Sequence, residues 1–246
     1  MARTTSKQPL FFRIARWHIW LGWLVGVPIV MWTATGLFMT IKPIEEVRGN
    51  HLRVAADEAP LVIADSALAT EDANLLEMRV VMQDGRAVAI LSAIDGAVKR
   101  VDVATGDALP AIDAAAARAL TAQRIVGGDK VRAVTFFEAE DVPFDFRRPM
   151  PVWQVALEDG TNVYIGRDTG EIAAVRTSWW RWFDFMWGLH IMDLSEREDT
   201  SHPILIAFAG LSLVGAMLGC ILMFRRRKAR VRTPKSAGAS AGKARA

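Results

Sequence analysis

Cysteine is nearly absent from this 246-residue chain, and the single one, Cys220, lies inside an apolar run. Disulfides are therefore excluded, and any folded region must hold together by its own core. Histidine is scarce as well. There are four, His18, His51, His190 and His202. The middle of the chain beyond His51 thus has neither imidazole nor thiol and is poorly equipped for catalysis. There is no nucleophile elbow, phosphate loop, zinc spacing, or flavin or nicotinamide fingerprint, and no catalytic residue is assigned. Acids are missing from both ends of the chain. Arg3, Lys7, Arg13 and Arg16 stand near the start without an Asp or Glu, and Arg225, Arg226, Arg227, Lys228, Arg230, Arg232, Lys235, Lys243 and Arg245 near the end without one.

Apolar residues are abundant. They make up 52% of the chain, and the mean hydropathy is positive, too high for an ordinary soluble domain. Ile19 to Ile41 carries no charge, and neither does Pro203 to Phe224. A helix of about 20 apolar residues crosses a hydrocarbon core of roughly 30 Å, so both runs are expected to span a membrane. Residues 42–180 hold 15 Lys and Arg against 22 Asp and Glu. Flanking basic residues stay in the cytoplasm, which places both tails there and the acidic middle outside. The net charge of +3 hides this division and gives no argument for nucleic-acid binding. The first run exceeds a signal-peptide core of about 7–15 residues, so it is expected to remain as an anchor.

The expected organisation is a basic tail (1–18), a first span (19–41), an exported domain (42–177), an interfacial aromatic segment (178–202), a second span (203–224) and a second basic tail (225–246). Residues 42–60 read as a polar linker. Alternating apolar positions and Asp-Gly turns at Asp84-Gly85 and Asp95-Gly96 predict strands at Met78–Met82, Ala87–Leu91 and Val98–Val103. Asp-Gly suits hairpins because a type I′ turn needs positive φ at both central positions. "AIDAAAARALTAQ" (111–123) predicts a helix with Asp113 as N-cap. Further strands are expected at Val131–Phe137, Val152–Leu157, Asn162–Ile165 and Ile172–Val175. "MQDGRAVAI…ATGDAL" and "LEDGTNVYI…DTGEIA" echo one another, through two related halves or through turn chemistry alone.

"PVWQVALEDGTNVYIGRDTGEIAAVR" (151–176), preceded by an alanine-rich helix, resembles the PepSY domain. "WHIWLGWLVGVPIVMWTATGLFM" and "MWGLHIMDL…HPILIAFAGLSLVGAMLGCILMFRRR" resemble PepSY-associated transmembrane helices. The resemblance covers most of the chain. It implies an α+β domain, an antiparallel sheet carrying a packed helix, beside a four-helix membrane arrangement, of which this chain supplies two; the expected fold is thus a membrane α-helical protein of two transmembrane helices with an extracytoplasmic α+β domain. The resemblance further implies a bacterial inner-membrane location and kinship with ferric-siderophore reductases, whose membrane histidines hold b-type haem.

On that resemblance His18 and His190 become candidate iron ligands, with haem b as the cofactor. Neutral imidazole is a standard haem ligand. Gly22 and Gly26 share one helical face with His18, together with Ile29, Thr33 and Gly36, and would clear space beside it. Small residues four apart also mediate ordinary helix packing, and Trp17, Trp20 and Trp23 are equally an aromatic belt anchoring His18 at the interface. His202 is a third candidate ligand or simply a helix-start residue. Glu196, Glu198 and Asp199 beside it form an acidic loop more readily than a cation site. His18 and His190 fall at opposite bilayer faces, about 30 Å apart, and cannot share one haem within one protomer. A homodimer or a partner membrane subunit is therefore expected, alongside lipid. The alternative is a membrane-tethered binding module, in which the exported domain regulates a periplasmic peptidase or meets a siderophore.

Overall fold

The computed structural model describes residues 8–54 and 74–230 together with residues 61, 63 and 67. The outer parts of both basic tails and most of the stretch after residue 54 lie outside the described residues. The chain divides into two compact units, one of residues 1–39 and 186–246 and one of residues 40–185.

The first unit is helical. α1 (Gln8–Met39) and α5 (Pro203–Arg230) run antiparallel, with Gly219 facing His18 and Gly215 facing Leu21. Both are long and apolar enough to cross a membrane, over Leu10–Met39 and Pro203–Phe224. α1 begins at Gln8, earlier than the uncharged run, because Leu10 to Ile14 continue its apolar surface and no helix breaker intervenes. Pro28 sits inside it, which a spanning helix tolerates when neighbouring groups take up the freed carbonyl. The covered positions of α1 include Ile14, His18, Leu21, Val25, Pro28, Trp32 and Thr35. This alternating spacing of three and four is the seam of a left-handed helix pair. Trp17, Trp20 and Trp23 remain exposed, and there the surface meets lipid.

The second unit is α+β. β1 (Leu75–Gln83), β2 (Arg86–Ala93), β3 (Val98–Asp102) and β4 (Ala108–Leu109) form one antiparallel meander. β5 (Val131–Phe137), β6 (Val152–Leu157), β7 (Asn162–Gly166) and β8 (Ile172–Arg176) form a second in the same order. The internal echo thus corresponds to two meanders. Strand for strand, however, the turn matching Asp159-Gly160 is Asp95-Gly96, and the Thr-Gly turns at Thr105-Gly106 and Thr169-Gly170 close the third hairpin of each. α3 (Ala114–Arg124) starts where Asp113 accepts a hydrogen bond from Ala116 N at 2.7 Å. It buries Ala117 against Val155, Leu157, Val163, Ile165 and Val175 of the second sheet.

The stretch expected to be a polar linker is instead packed as far as it is described. α2 (Ile44–Val47) buries Val47, and a 3-10 turn at Asn50–Leu52 lays Leu52 on the α3 core. Val54 N and Val126 N exchange hydrogen bonds with the Arg124 and Leu52 carbonyls. Gly49 between these turns has φ +75°, and a Cβ there would stand 2.8 Å from Val175 Cγ1. Two apolar side chains one turn apart are enough to seat a polar stretch when the sheet offers a gap beside them.

A buried polar network anchors the second sheet. Tyr164 is fully buried, stacked on Phe146 at 4.7 Å between ring centres. Its hydroxyl donates to Asp145 and accepts from Gln154 Nε2 at 2.6 Å. Asn162 Nδ2 donates to the same carboxylate at 3.2 Å, and Arg176 Nε to the Asp145 carbonyl at 2.7 Å. Burial, followed by the Asp145 contact, pushes the phenol far above its usual pKa. The start of α4 (Ser178–Ile191) joins this group, because Arg147 pairs with Asp184 and Arg176 lies over the Trp180 ring at 4.1 Å. The aromatic segment is therefore in part a packing element of the sheet unit rather than solely an interfacial anchor, although Trp182 and Phe185 stay exposed.

Tyr164→Phe is expected to lower stability by about 1–3 kcal/mol, the cost of leaving buried partners unpaired. Denaturation of the full chain in detergent, followed by near-UV circular dichroism, measures it. Gly170 has φ +66°, and a Cβ there would meet Arg100 Nη1 at 2.7 Å. Gly170→Ala is accordingly expected to cost about 1–2 kcal/mol from the left-handed backbone alone, read by the same titration.

Candidate functional site

The helical unit carries three of the four histidines, and two of them form similar stations. At one end of the α1–α5 pair, the His18 ring lies on Gly219, where a Cβ would stand 3.0 Å from Cε1 and 3.5 Å from Nε2. His18 Nδ1 is buried and has no hydrogen-bond partner among the described residues. At the other end, the His190 ring lies on Gly36, where a Cβ would stand 3.5 Å from Cε1 and 3.9 Å from Nδ1. The His190 carbonyl accepts from Trp32 Nε1 at 2.8 Å.

Thr35 fixes the chemistry of the second station. It is buried, and its hydroxyl has one proton, directed at the Met31 carbonyl 2.8 Å away. The Trp32 carbonyl lies 3.2 Å from the same hydroxyl, and with the hydroxyl proton on either carbonyl the 3.0 Å contact between Thr35 Oγ1 and His190 Nδ1 has the imidazole as donor. That tautomer leaves the lone pair on Nε2, the nitrogen a metal would take. The donor at Nδ1 is the arrangement by which ligating imidazoles are usually oriented.

His18 and Gly36 are 18 residues apart on α1, five helical turns, so both stations lie along one face and about 27 Å apart along its axis. One flat cofactor cannot bridge them within a chain. The residues present nevertheless fit an imidazole-ligated group at each end: one ring has a buried nitrogen without a partner, the other a tautomer that frees Nε2.

The glycines divide their work differently from expectation. Gly36 and Gly219 lie beneath the imidazoles. Gly22 and Gly26 face open space and, with Ile19, Trp23, Val27, Val30 and Met31, line an apolar groove of about 640 Å³ on α1. His18 does not line that groove. The heptad seam decides this, since it turns His18, Leu21 and Val25 toward α5 and leaves Gly22 beside the contact. The signal was legible as a three-four alternation from Ile14 to Thr35, and Thr35 itself is a site residue that the search for histidines and glycines passed over.

His202 stands just before α5, and its Nδ1 is buried without a partner among the described residues. The nearby acidic loop is organised around Asp193. Its carboxylate accepts from the Ser195 hydroxyl at 2.7 Å and from the backbone N–H groups of Ser195, Glu196, Glu198 and Asp199. These bonds, led by the Ser195 hydroxyl, hold it well below the usual carboxylate range. Among the described residues no group of three or more His, Cys, Asp or Glu is placed to hold a metal ion, so a ligand role for any of the three histidines needs a group that takes one or two imidazoles. His51 is exposed in the sheet unit.

Comparison with known proteins agrees with this layout. No curated protein and no solved structure matches the chain. The family model of the PepSY-associated TM region matches residues 15–245, from just ahead of His18 to beyond α5. Two lipid-crossing helices, two antiparallel sheets with packed helices and a match over nearly the whole length have one conclusion: the chain belongs to the PepSY-associated transmembrane family.

Proposed function

We propose that the protein is a haem-binding electron-transfer component of the bacterial inner membrane, linked to reduction of ferric iron or its siderophore complexes. Both termini are cytoplasmic in this reading, and the sheet unit faces the periplasm, in keeping with the basic ends and the acidic middle. The observation that carries the reading is the pair of glycine-seated imidazoles at the two ends of one α1 face. A b-type haem bound there supplies one-electron chemistry.

The chain's own residues have distinct tasks. His18 and His190 would hold the group through their imidazole nitrogens. Thr35 holds the His190 ring so that Nε2 points its lone pair outward. Gly36 and Gly219 let each ring lie against the facing backbone. With the stations about 27 Å apart along α1, any further side chain needed to hold the group at either one would come from another copy of the chain or from a partner membrane subunit. Two stations, one in each leaflet, are also the layout that transfer across a bilayer requires. The uncovered face bearing Gly22 and Gly26 is narrow enough for another helix to approach closely.

Protein overproduced with haem supplied and solubilised in detergent is expected to give a reduced-minus-oxidised difference spectrum of the b type. His18→Ala and His190→Ala are each expected to lower bound haem, and Thr35→Ala to weaken haem retention about 10-fold, as loss of an orienting partner does. A colourless wild-type protein overturns the proposal in favour of a tethered periplasmic binding module serving a peptidase or another partner.

A further inference from the structure

A cavity away from the histidines lies wholly inside the sheet unit. It is a cleft of about 990 Å³ between the edge strand β1 of the first sheet and the edge strand β8 of the second, with a side of α3 as its wall. Five arginines line it: Arg53, Arg79, Arg100, Arg124 and Arg148. Among the described residues only two carboxylates do, Asp84 and Glu171. A basic cleft stands out in a region that is otherwise acidic.

Among the described residues, the partners of these guanidiniums leave most of the charge uncompensated. Arg79 is taken by Glu171 in a two-pronged ion pair across the sheets. Arg53 and Arg148 donate only to neutral carbonyls of β8, Ile172 O at 3.3 Å and Ala173 O at 3.2 Å. Arg124 is half-buried and makes no ion pair among the described residues. Arg100 is held by Gln83 Oε1 at 3.0 Å and by the Pro110 carbonyl, and Gly170 gives it room by lacking a Cβ. Burial pushes the Arg100 pKa down, so its charge is kept there against a desolvation cost.

The wall chemistry narrows the anion. Guanidinium forks match carboxylate and phosphate oxygens alike. Phosphate sites, however, usually add a helix N-terminus or a nest of backbone N–H groups. α3 presents its flank here, through Ala116, Ala119 and Leu120, not its first turn. Those side chains and Ile172 are apolar and suit a carbon skeleton. Asp84 and Glu171 can accept from hydroxyl groups but repel a compact polyanion. A strand-shaped peptide is also disfavoured, because Arg53 and Arg148 already occupy the outward carbonyls of β8.

We infer that this cleft is a binding site for a small organic polycarboxylate, hydroxy acids such as citrate and their metal chelates included. The site stands on its own geometry and does not depend on haem being bound. It gives the sheet unit a ligand where the helical unit has the redox-type residues.

Isothermal titration of the full chain in neutral-lipid nanodiscs tests it, with citrate, inorganic phosphate and triglutamate as probes. Citrate is expected to bind, and the double variant R124Q/R148Q to bind it at least about 10-fold more weakly, a loss of about 1.4 kcal/mol. Circular dichroism of that variant confirms the fold, and R124K/R148K, which keeps charge without the fork, should fall between. H18A/H190A should bind citrate as wild type does, so failure of the haem proposal leaves this one standing. The inference is overturned by absence of citrate binding at about 10 mM, well above the millimolar end of the affinity scale. It is equally overturned by unchanged affinity in R124Q/R148Q, by tighter uptake of phosphate, or by tighter uptake of triglutamate, which would assign the cleft to an acidic peptide.

Discussion

An imidazole seated against a glycine is the contact on which the helical unit turns. Helices surrounded by lipid gain nothing from hiding apolar surface against each other, so close packing and polar contacts decide how they meet. At both ends of the α1–α5 pair a ring fills the space that a missing Cβ leaves. At Gly219 that space is tight, and any larger residue displaces the His18 ring. At Gly36 a methyl group would sit at ordinary contact distance, so the His190 ring is held less by the glycine than by Thr35 and by the Trp32 bond to its carbonyl. The two stations look alike in outline but are secured by different forces.

The sheet unit solves the opposite problem. It has no disulfide to staple it, and much of its stability passes through groups that are costly to bury unless paired. Asp145 collects Tyr164, Asn162 and the backbone bond from Arg176 around one point. Such a network rigidifies a core when every member is satisfied and weakens it when one is not. The two meanders meet through Arg79–Glu171, through Gln83 to the Thr169 carbonyl at 2.9 Å, and through Arg100 over Gly170. Polar pairs between sheet edges leave a cleft open between them, where an apolar seam would have closed it.

Much of the fold was legible because period and turn chemistry are local. The strands Val131–Phe137 and Val152–Leu157 and the Asp113 cap were readable from alternation and from side-chain hydrogen bonding alone. The Val47 and Leu52 contacts were not, since a polar stretch reveals its docking only when the surface it docks on exists. The site was half legible. His18 and His190 stand out by scarcity, yet their settings depend on which face α1 turns toward α5. A small-residue stripe and a heptad seam both run through His18 and then diverge, Gly22 of the stripe standing about 100° from Leu21 of the seam. Interhelical packing selects the seam because Leu21, Val25 and Trp32 fill it, and the stripe is left at the groove. The cleft was invisible beforehand, for its arginines are spread from residue 53 to residue 148 and only sheet pairing gathers them.

The two units divide charge as well as shape. The helical unit keeps its Asp, Glu, Lys and Arg side chains toward its ends, since an unpaired charge in hydrocarbon is expensive. The sheet unit carries the acids but concentrates guanidiniums at one cleft. A surface that is acidic in general and basic at one opening repels anions broadly and attracts them locally, which favours a multivalent carboxylate with several anchoring points over a single-point anion. Specificity for such a ligand then rests on the separation between Arg53, Arg124 and Arg148, not on the strength of any one contact. Those three reside on the 3-10 turn, the end of α3 and the loop before β6, so the order of the second sheet and its helix sets the spacing. Met150 and Ala173 of the cleft wall pack on the Tyr164–Phe146 cluster, so the Tyr164–Asp145 network supports that wall from behind.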